Sequence, residues 1–303
     1  MEGVGDRAFR KAMARIGGFD EAVTDFIRVP SNAHVESLAK VYQADEVAPI
    51  PLAAQLMGSD PDLMHDMAKV IERRGAPRID LNCGCPSNTV TGRGAGSSLL
   101  KEPRHLYQVA KAMVTAVSIP VTLKMRSGFD DTSLFEENLF AAQESGIRFL
   151  TLHPRTKADG YGPPANWKLI ARAKQLLSIP VIGNGDILSV SDALRMKEET
   201  GCDGLMIGRG AIINPFIFQE LRAHLRGEVF KPNWALLESY FESYCLEMPL
   251  TEKGKISKLK QLMGFLFKRT SQLQERRQEM LTRSYRDADE FMAFNFPWLR
   301  ASF

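Results

Sequence analysis

The residue types best suited to chemistry fall in one stretch, Asp80-Leu81-Asn82-Cys83-Gly84-Cys85-Pro86-Ser87-Asn88-Thr89-Val90-Thr91-Gly92-Arg93-Gly94-Ala95-Gly96. Arg78 to Leu81 reads as the end of a short strand. Gly84 and Pro86 then break the pattern on either side of Cys85, and three glycines follow. A reactive side chain at a strand end, on a loop kept open by small residues, is a common way to build an active site. Cys83-Gly84-Cys85 lacks the spacing of a Cys-x-x-Cys redox pair and has no second half for a zinc site, so no metal is expected. With no histidine beside it, Cys85 is better suited to donating a proton than to protease-like attack. Cys83 reads as a small buried residue. Gln55, Asn82, Lys124, His153 and Arg155 also stand at the ends of apolar runs. One such residue can be a chain reaching water; several converging from different strands make a site.

The elements that must position these residues alternate. Strands are predicted at about 22–29, 51–57, 79–83, 120–126, 149–153, 180–184 and 204–209. Amphipathic helices precede, separate or follow them: 6–15, 61–74, 101–117, 134–145, 167–177, 189–200 and 215–225. Ser-Ile-Pro-Val recurs at 118–121 and 178–181, marking equivalent strand entries. Short apolar strands between helices predict an α/β fold with a parallel sheet, here a TIM (β/α)8-type barrel. A full barrel needs eight strands, and the first readable element is a helix near Met1, so the first strand is expected upstream of the given start. After about Pro232 four helical runs follow with no strand between them. The expected division is a catalytic barrel over 1–230 and an all-helical domain over 231–303.

Composition bounds the rest. Of 303 residues, 44% are hydrophobic and 25% charged, as in ordinary globular chains. No apolar run reaches the roughly 18 residues that span a bilayer, and no signal-peptide core opens the chain, so no membrane is expected. Four cysteines in a chain this long make no disulfide framework, which fits a reducing cytoplasm. From residue 251 onward, eleven Lys and Arg stand against six Asp and Glu. Such a basic end suits a polyanionic partner or a solvated helix face.

Gly183-Asn184-Gly185-Asp186 and Gly208-Arg209-Gly210 fall after the last two predicted strands. In barrels these loops often hold a phosphate on backbone N–H groups, although glycines also simply fit tight turns. Arg209 adds donors suited to phosphate. A phosphate site, Lys124 and a polar rim fit flavin mononucleotide (FMN). Lys124 would stabilise negative charge at the N1/C2 carbonyl edge of the reduced ring, and Gln55 would hydrogen-bond the ring.

The central stretch resembles the signature of the tRNA-dihydrouridine synthase family: Asn82, Gly84-Cys85-Pro86, Val90, a glycine-rich run and Leu99-Leu100. Its wording is most similar to the C-type subgroup, whose members reduce the uridine at position 16 of the tRNA D-loop. The resemblance implies that FMN binds at Met1, Glu2, Gly3, Gln55, Lys124, His153, Asn184, Gly185, Asp186, Gly208 and Arg209. It implies NADPH as reductant, hydride transfer from the reduced flavin to uracil C6, and Cys85 as the acid at C5. It assigns Asp25, Asn82, Arg155, Lys258 and Lys260 to the tRNA substrate. A monomer acting on tRNA, without a metal, is expected. Two other readings are a flavin barrel acting on free pyrimidines, which needs no basic tail, and a truncated barrel that only binds RNA.

Overall fold

The computed structural model describes residues 4–87, 94–160, 162, 164–247 and 251–301. The chain forms two compact units. One comprises residues 20–187 and 191–207 and carries the sheet. The other comprises residues 1–19, 188–190 and 208–303 and is helical.

The sheet contains β1 (Ala22–Val23), β2 (Ile27–Arg28), β3 (Leu52–Met57), β4 (Ile79–Cys83), β5 (Val121–Gly128), β6 (Leu150–Thr156), β7 (Val181–Asn184) and β8 (Gly204–Met206). All pairings are parallel, in the order β1, β3, β4, β5, β6, β7, β8, with β2 also on β3. Helices α2 (Val35–Leu38), α3 (Pro61–Arg73), α4 (Pro103–Ala116), α5 (Phe135–Glu144), α6 (Lys168–Leu176) and α7 (Val190–Thr200) lie between the strands in sequence. This is the βα alternation of a TIM-type barrel wall. Asp60 caps α3 by accepting from the Asp62 and Leu63 N–H groups, with Pro61 at the first helical position.

The strand predicted over 22–29 is interrupted. Ala22 pairs with Leu52 but Ile27 with Leu56, so residues 24–26 stand opposite 54–55 as a bulge. The Thr24 hydroxyl accepts the Gln55 N–H at 3.0 Å, a donor that a regular ladder would give to a carbonyl. The last predicted strand, 204–209, is shorter than expected: Arg209 begins the helical turn α8 (Arg209–Ile213). Conversely, β6 runs through Pro154 to Thr156, three residues beyond the expected end.

The helical unit holds α1 (Arg7–Ile16), α8, α9 (Ile217–Leu225), α10 (Trp234–Leu246), α11 (Glu252–Leu266), α12 (Ser271–Thr282) and α13 (Ala288–Arg300). Side-chain caps start most of them: Asp6, Asn233, Thr251, Thr270 and Asp287 each accept a first-turn N–H. α1 packs on α10, and Leu259, Leu262, Met263 and Leu266 of α11 are buried. Among the described residues no helix is long and apolar enough to cross a membrane.

Candidate active site

The sheet unit sorts its residues by strand period. Ile79, Leu81 and Cys83 alternate with Asp80 and Asn82, Leu123 and Met125 with Thr122, Lys124 and Arg126, and Leu150 and Leu152 with Thr151 and His153. The first group of each is buried and apolar. The second group shares the other face, because alternate residues point the same way. Register then sets Gln55 beside Asp80, Asn82 beside Lys124, Lys124 beside Thr151, and Arg126 beside His153. A face usually filled by Val, Ile and Leu is here lined with polar groups.

The Cys85 loop is tied at several points. Asn82 Oδ1 accepts the N–H of Gly84 at 2.9 Å and of Cys85 at 3.0 Å, an Asx turn that reverses the chain as β4 ends. The Cys85 carbonyl accepts from Ser97 Oγ at 2.8 Å and Ser97 N at 3.2 Å. Cys85 is buried, in a cluster with Met57, Ala95 and Phe26. Residues 88–93 of the motif lie outside the described residues. Arg126 secures the loop from β5: Nε donates to the Gly84 carbonyl at 2.9 Å, and Nη1 to the carbonyls of Thr156 at 2.7 Å and Gly160 at 3.0 Å. Sequence reasoning passed over both Arg126 and Asp80 as site residues. The available signal was their alternation with Lys124 and Asn82 on one strand face.

Lys124 is half-buried, and among the described residues its ammonium makes no hydrogen bond or ion pair. Burial lowers its pKa from 10.5 to about 8, against the pull of Asp80 and together with the repulsion of Arg126. A Cβ built on Gly84 would lie 3.9 Å from Lys124 Nζ, so the cation ends beside the Cys85 loop. The hydroxyl of its register neighbour Thr151 is also buried without a partner. An unmatched donor cation next to an unmatched hydroxyl is suited to an acceptor-rich group such as the carbonyl edge of a flavin ring, so the residues present fit that cofactor.

His153, Arg155 and Asp186 form a connected set. Arg155 is buried and forks onto Asp186, Nη1 to Oδ1 at 3.1 Å and Nη2 to Oδ2 at 2.6 Å. Asp186 sits at φ +56°, and its Oδ2 also accepts the Ala165 N–H at 2.8 Å. Arg155 Nη1 lies 3.2 Å from His153 Nε2. Since arginine only donates, this nitrogen is the acceptor, and a neutral imidazole then carries its proton on Nδ1. Burial, with Lys124, Arg126 and Arg155 nearby, pushes the His153 pKa from 6.5 down to about 3. Gly185 (φ +117°) runs close above: a Cβ there would come within 2.8 Å of His153 Cδ2. Asn184 donates to the Met206 carbonyl at 2.8 Å, joining the ends of β7 and β8. Asp25 is exposed at the bulge between β1 and β2.

In the helical unit, Gly208 and Arg209 open α8 and are half-buried. Lys258 lies 3.7 Å from Asp6. Lys260 donates to the carbonyls of Leu281 at 2.8 Å and Arg283 at 2.7 Å, closing the C-terminal end of α12. Met1, Glu2 and Gly3 lie outside the described residues.

The sequence profile described as Dihydrouridine synthase (Dus) matches residues 1–292. A tRNA-dihydrouridine(16) synthase of Neisseria meningitidis serogroup B is 36% identical over 303 residues, covering 96% of this chain and 90% of its own. A protein of the same name from Pseudomonas syringae pv. tomato is 36% identical, covering 88% of each chain. A probable tRNA-dihydrouridine synthase 1 of Synechocystis sp. is 40% identical over 73% of this chain and 62% of its own. Among solved structures, a histamine dehydrogenase from Rhizobium sp. 4-9 is similar, with a TM-score of 0.55 at 16% identity over 74% of this chain and 44% of that one. A 2-naphthoyl-CoA reductase gives 0.56 at 12% identity over 74% of this chain and 48% of that one. At these identities the structures establish the α/β barrel fold. With the profile spanning nearly the whole sequence and relatives aligned over most of it, the chain belongs to the dihydrouridine synthase family of enzymes.

Proposed function

We propose that this chain reduces the uridine at position 16 of the tRNA D-loop to 5,6-dihydrouridine, with FMN as its flavin and NADPH as the reductant. The observation that carries the reading is the meeting of two features beside β4. Cys85 is fixed at the strand end by Asn82, and the Lys124 ammonium ends next to the same loop with no acceptor among the described residues. The names of the aligned relatives support the substrate and its position.

In this reading the uracil 5,6 double bond takes up one hydride and one proton. Bound and reduced at the expense of NADPH, the flavin supplies the hydride for C6. Cys85 gives its thiol proton to C5, and the thiolate regains a proton from water. Lys124 meets the electron-rich ring edge, with Gln55, His153, Asn184, Gly185 and Asp186 as further cofactor residues. Gly208, Arg209 and Met1 to Gly3 are assigned to the cofactor by sequence resemblance. Neutral His153 can donate through Nδ1 without adding a further positive charge beside Lys124, Arg126 and Arg155. The target base must leave its stack to reach a buried thiol. Asp25, Asn82, Arg155, Lys258 and Lys260 are the proposed substrate residues. The division into a catalytic barrel over 1–230 and a tRNA-binding region over 231–303, in a cytoplasmic enzyme, belongs to the same proposal.

The test is Cys85→Ala. The variant should keep NADPH-driven flavin reduction and lose dihydrouridine formation by about a hundredfold or more, the scale of a lost general acid. Substrate is tRNA from a strain lacking the enzyme, with the modified position mapped. Undiminished dihydrouridine formation by the variant, or none at position 16 by the parent, would overturn the reading.

A further inference from the structure

We infer that Asp80 is a positioning residue that sets the polarity of the Cys85 loop through two intervening amides. Its role in turnover rests on reading Cys85 as the proton donor; the orientation it imposes does not.

The chain of contacts has a fixed polarity at both ends. Asp80 Oδ1 accepts from Thr122 Oγ1 at 2.6 Å and lies 3.5 Å from Arg78 Nη1. Arg78 in turn donates to the Thr122 hydroxyl and is held from outside by Glu21, at 2.6 Å from Nη2. Asp80 Oδ2 accepts Gln55 Nε2 at 2.8 Å. Gln55 Oε1 is thereby turned to Asn82 Nδ2, also at 2.8 Å. Asn82 Oδ1 is then left to face the N–H groups of Gly84 and Cys85. Asp80, Gln55 and Asn82 are all buried, so water does not substitute for a mismatched partner.

An amide has the same shape whichever way it is turned, so shape alone leaves Gln55 and Asn82 with two orientations each. The carboxylate accepts and cannot donate, while the loop N–H groups donate and cannot accept. Only one arrangement satisfies every link between them. A reversed Gln55 would turn its NH2 to Asn82, and a reversed Asn82 would point donors at the Gly84 and Cys85 N–H groups. The Asx turn that presents Cys85 would then lose its acceptor.

Asp80→Asn tests this with almost no change of volume. The new amide must turn its NH2 either toward Gln55 or toward Arg78 and Thr122. Each choice sets donors against donors or reverses Gln55. Deuterium exchange of a peptide spanning residues 79–87, read at the Gly84 and Cys85 amides, should quicken by about tenfold or more, while exchange in α3 stays unchanged. The double substitution Gln55→Glu with Asp80→Asn moves the carboxylate one link along and restores the sequence of donors and acceptors. Protection at both amides should return to within about twofold of the parent. Unchanged exchange in the single variant, or a double variant as unprotected as the single one, would overturn the inference. If Asp80→Asn alone does not fold, the double variant decides: folded with protected amides upholds the polarity argument, and unfolded overturns it. No flavin or tRNA enters these readouts, so their failure is separable from failure of the proposed reaction.

Discussion

His153 provides a stability measurement whose size follows from its surroundings. In the folded chain its pKa falls from 6.5 to about 3, chiefly through burial and then through Lys124, Arg126 and Arg155. The sign follows from proton uptake. Below pH 6.5 the unfolded chain binds a proton at this imidazole that the folded chain excludes. The stabilising difference is therefore present above pH 6.5 and lost as pH falls toward the folded value. Between pH 7 and pH 5 the loss is about 2 kcal/mol, and it depends only on the folded pKa lying well below 5. Continued to pH 3 it reaches about 4 kcal/mol. His153→Gln keeps an acceptor for Arg155 but does not titrate. Urea unfolding of both proteins at pH 7 and pH 5, followed by circular dichroism, isolates this one group, since every other titration is common to the two. The parent should lose about 2 kcal/mol more than the variant. The matching spectroscopic check is a His153 ring resonance that stays unshifted down to pH 5. Parallel stability profiles, agreeing within about 0.5 kcal/mol, would mean that the imidazole protonates normally in the folded chain, and the neutral His153 accepting from Arg155 would have to be abandoned.

Lys124→Met should act in opposite directions on binding and stability. Flavin affinity, measured by fluorescence titration, should fall about ten- to a hundredfold, while the flavin-free protein gains up to about 3 kcal/mol at pH 7 on losing a poorly solvated cation. Lys260→Met should lower the stability of the helical unit by about 1–3 kcal/mol in thermal unfolding, because it strips two carbonyls of a charged donor, whereas Lys258→Ala should cost under about 1 kcal/mol. Filter binding at several salt concentrations should nevertheless show weaker tRNA affinity for Lys258→Ala, with a shallower salt slope.

What the sequence disclosed was what local pattern can carry. The strands and helices of the sheet unit follow from apolar periodicity punctuated by Gly and Pro. Cys85, Asn82 and Lys124 could be singled out because each stands at or just past a strand segment. The interruption of the first strand was not legible, because the Thr24 hydroxyl replaces a ladder acceptor only once β1 and β3 are in register. Nor was the use of Lys260, whose ammonium meets carbonyls twenty-one and twenty-three residues away. The pairing of Arg155 with Asp186 likewise joins two residues that looked like separate ligands. In each case the missing information was a partner distant in sequence, which composition and spacing do not encode.

The same register explains why so polar a strand face can be buried at all. Buried ionic groups add little stability unless every one is matched, and an unmatched one is penalised heavily. Arg78, Asp80, Gln55, Asn82, Arg126, His153 and Arg155 each have a partner on this face or in its loops. Lys124 and Thr151, neighbours in register, have none among the described residues. On this strand face, where so many buried polar groups are settled, Lys124 and Thr151 are left unsettled among the described residues, and such departures gather at functional sites. The departure lies beside the loop that presents Cys85. The polar network around it therefore does more than tolerate burial: it holds the loop in one orientation while leaving Lys124 for a group that brings its own acceptors.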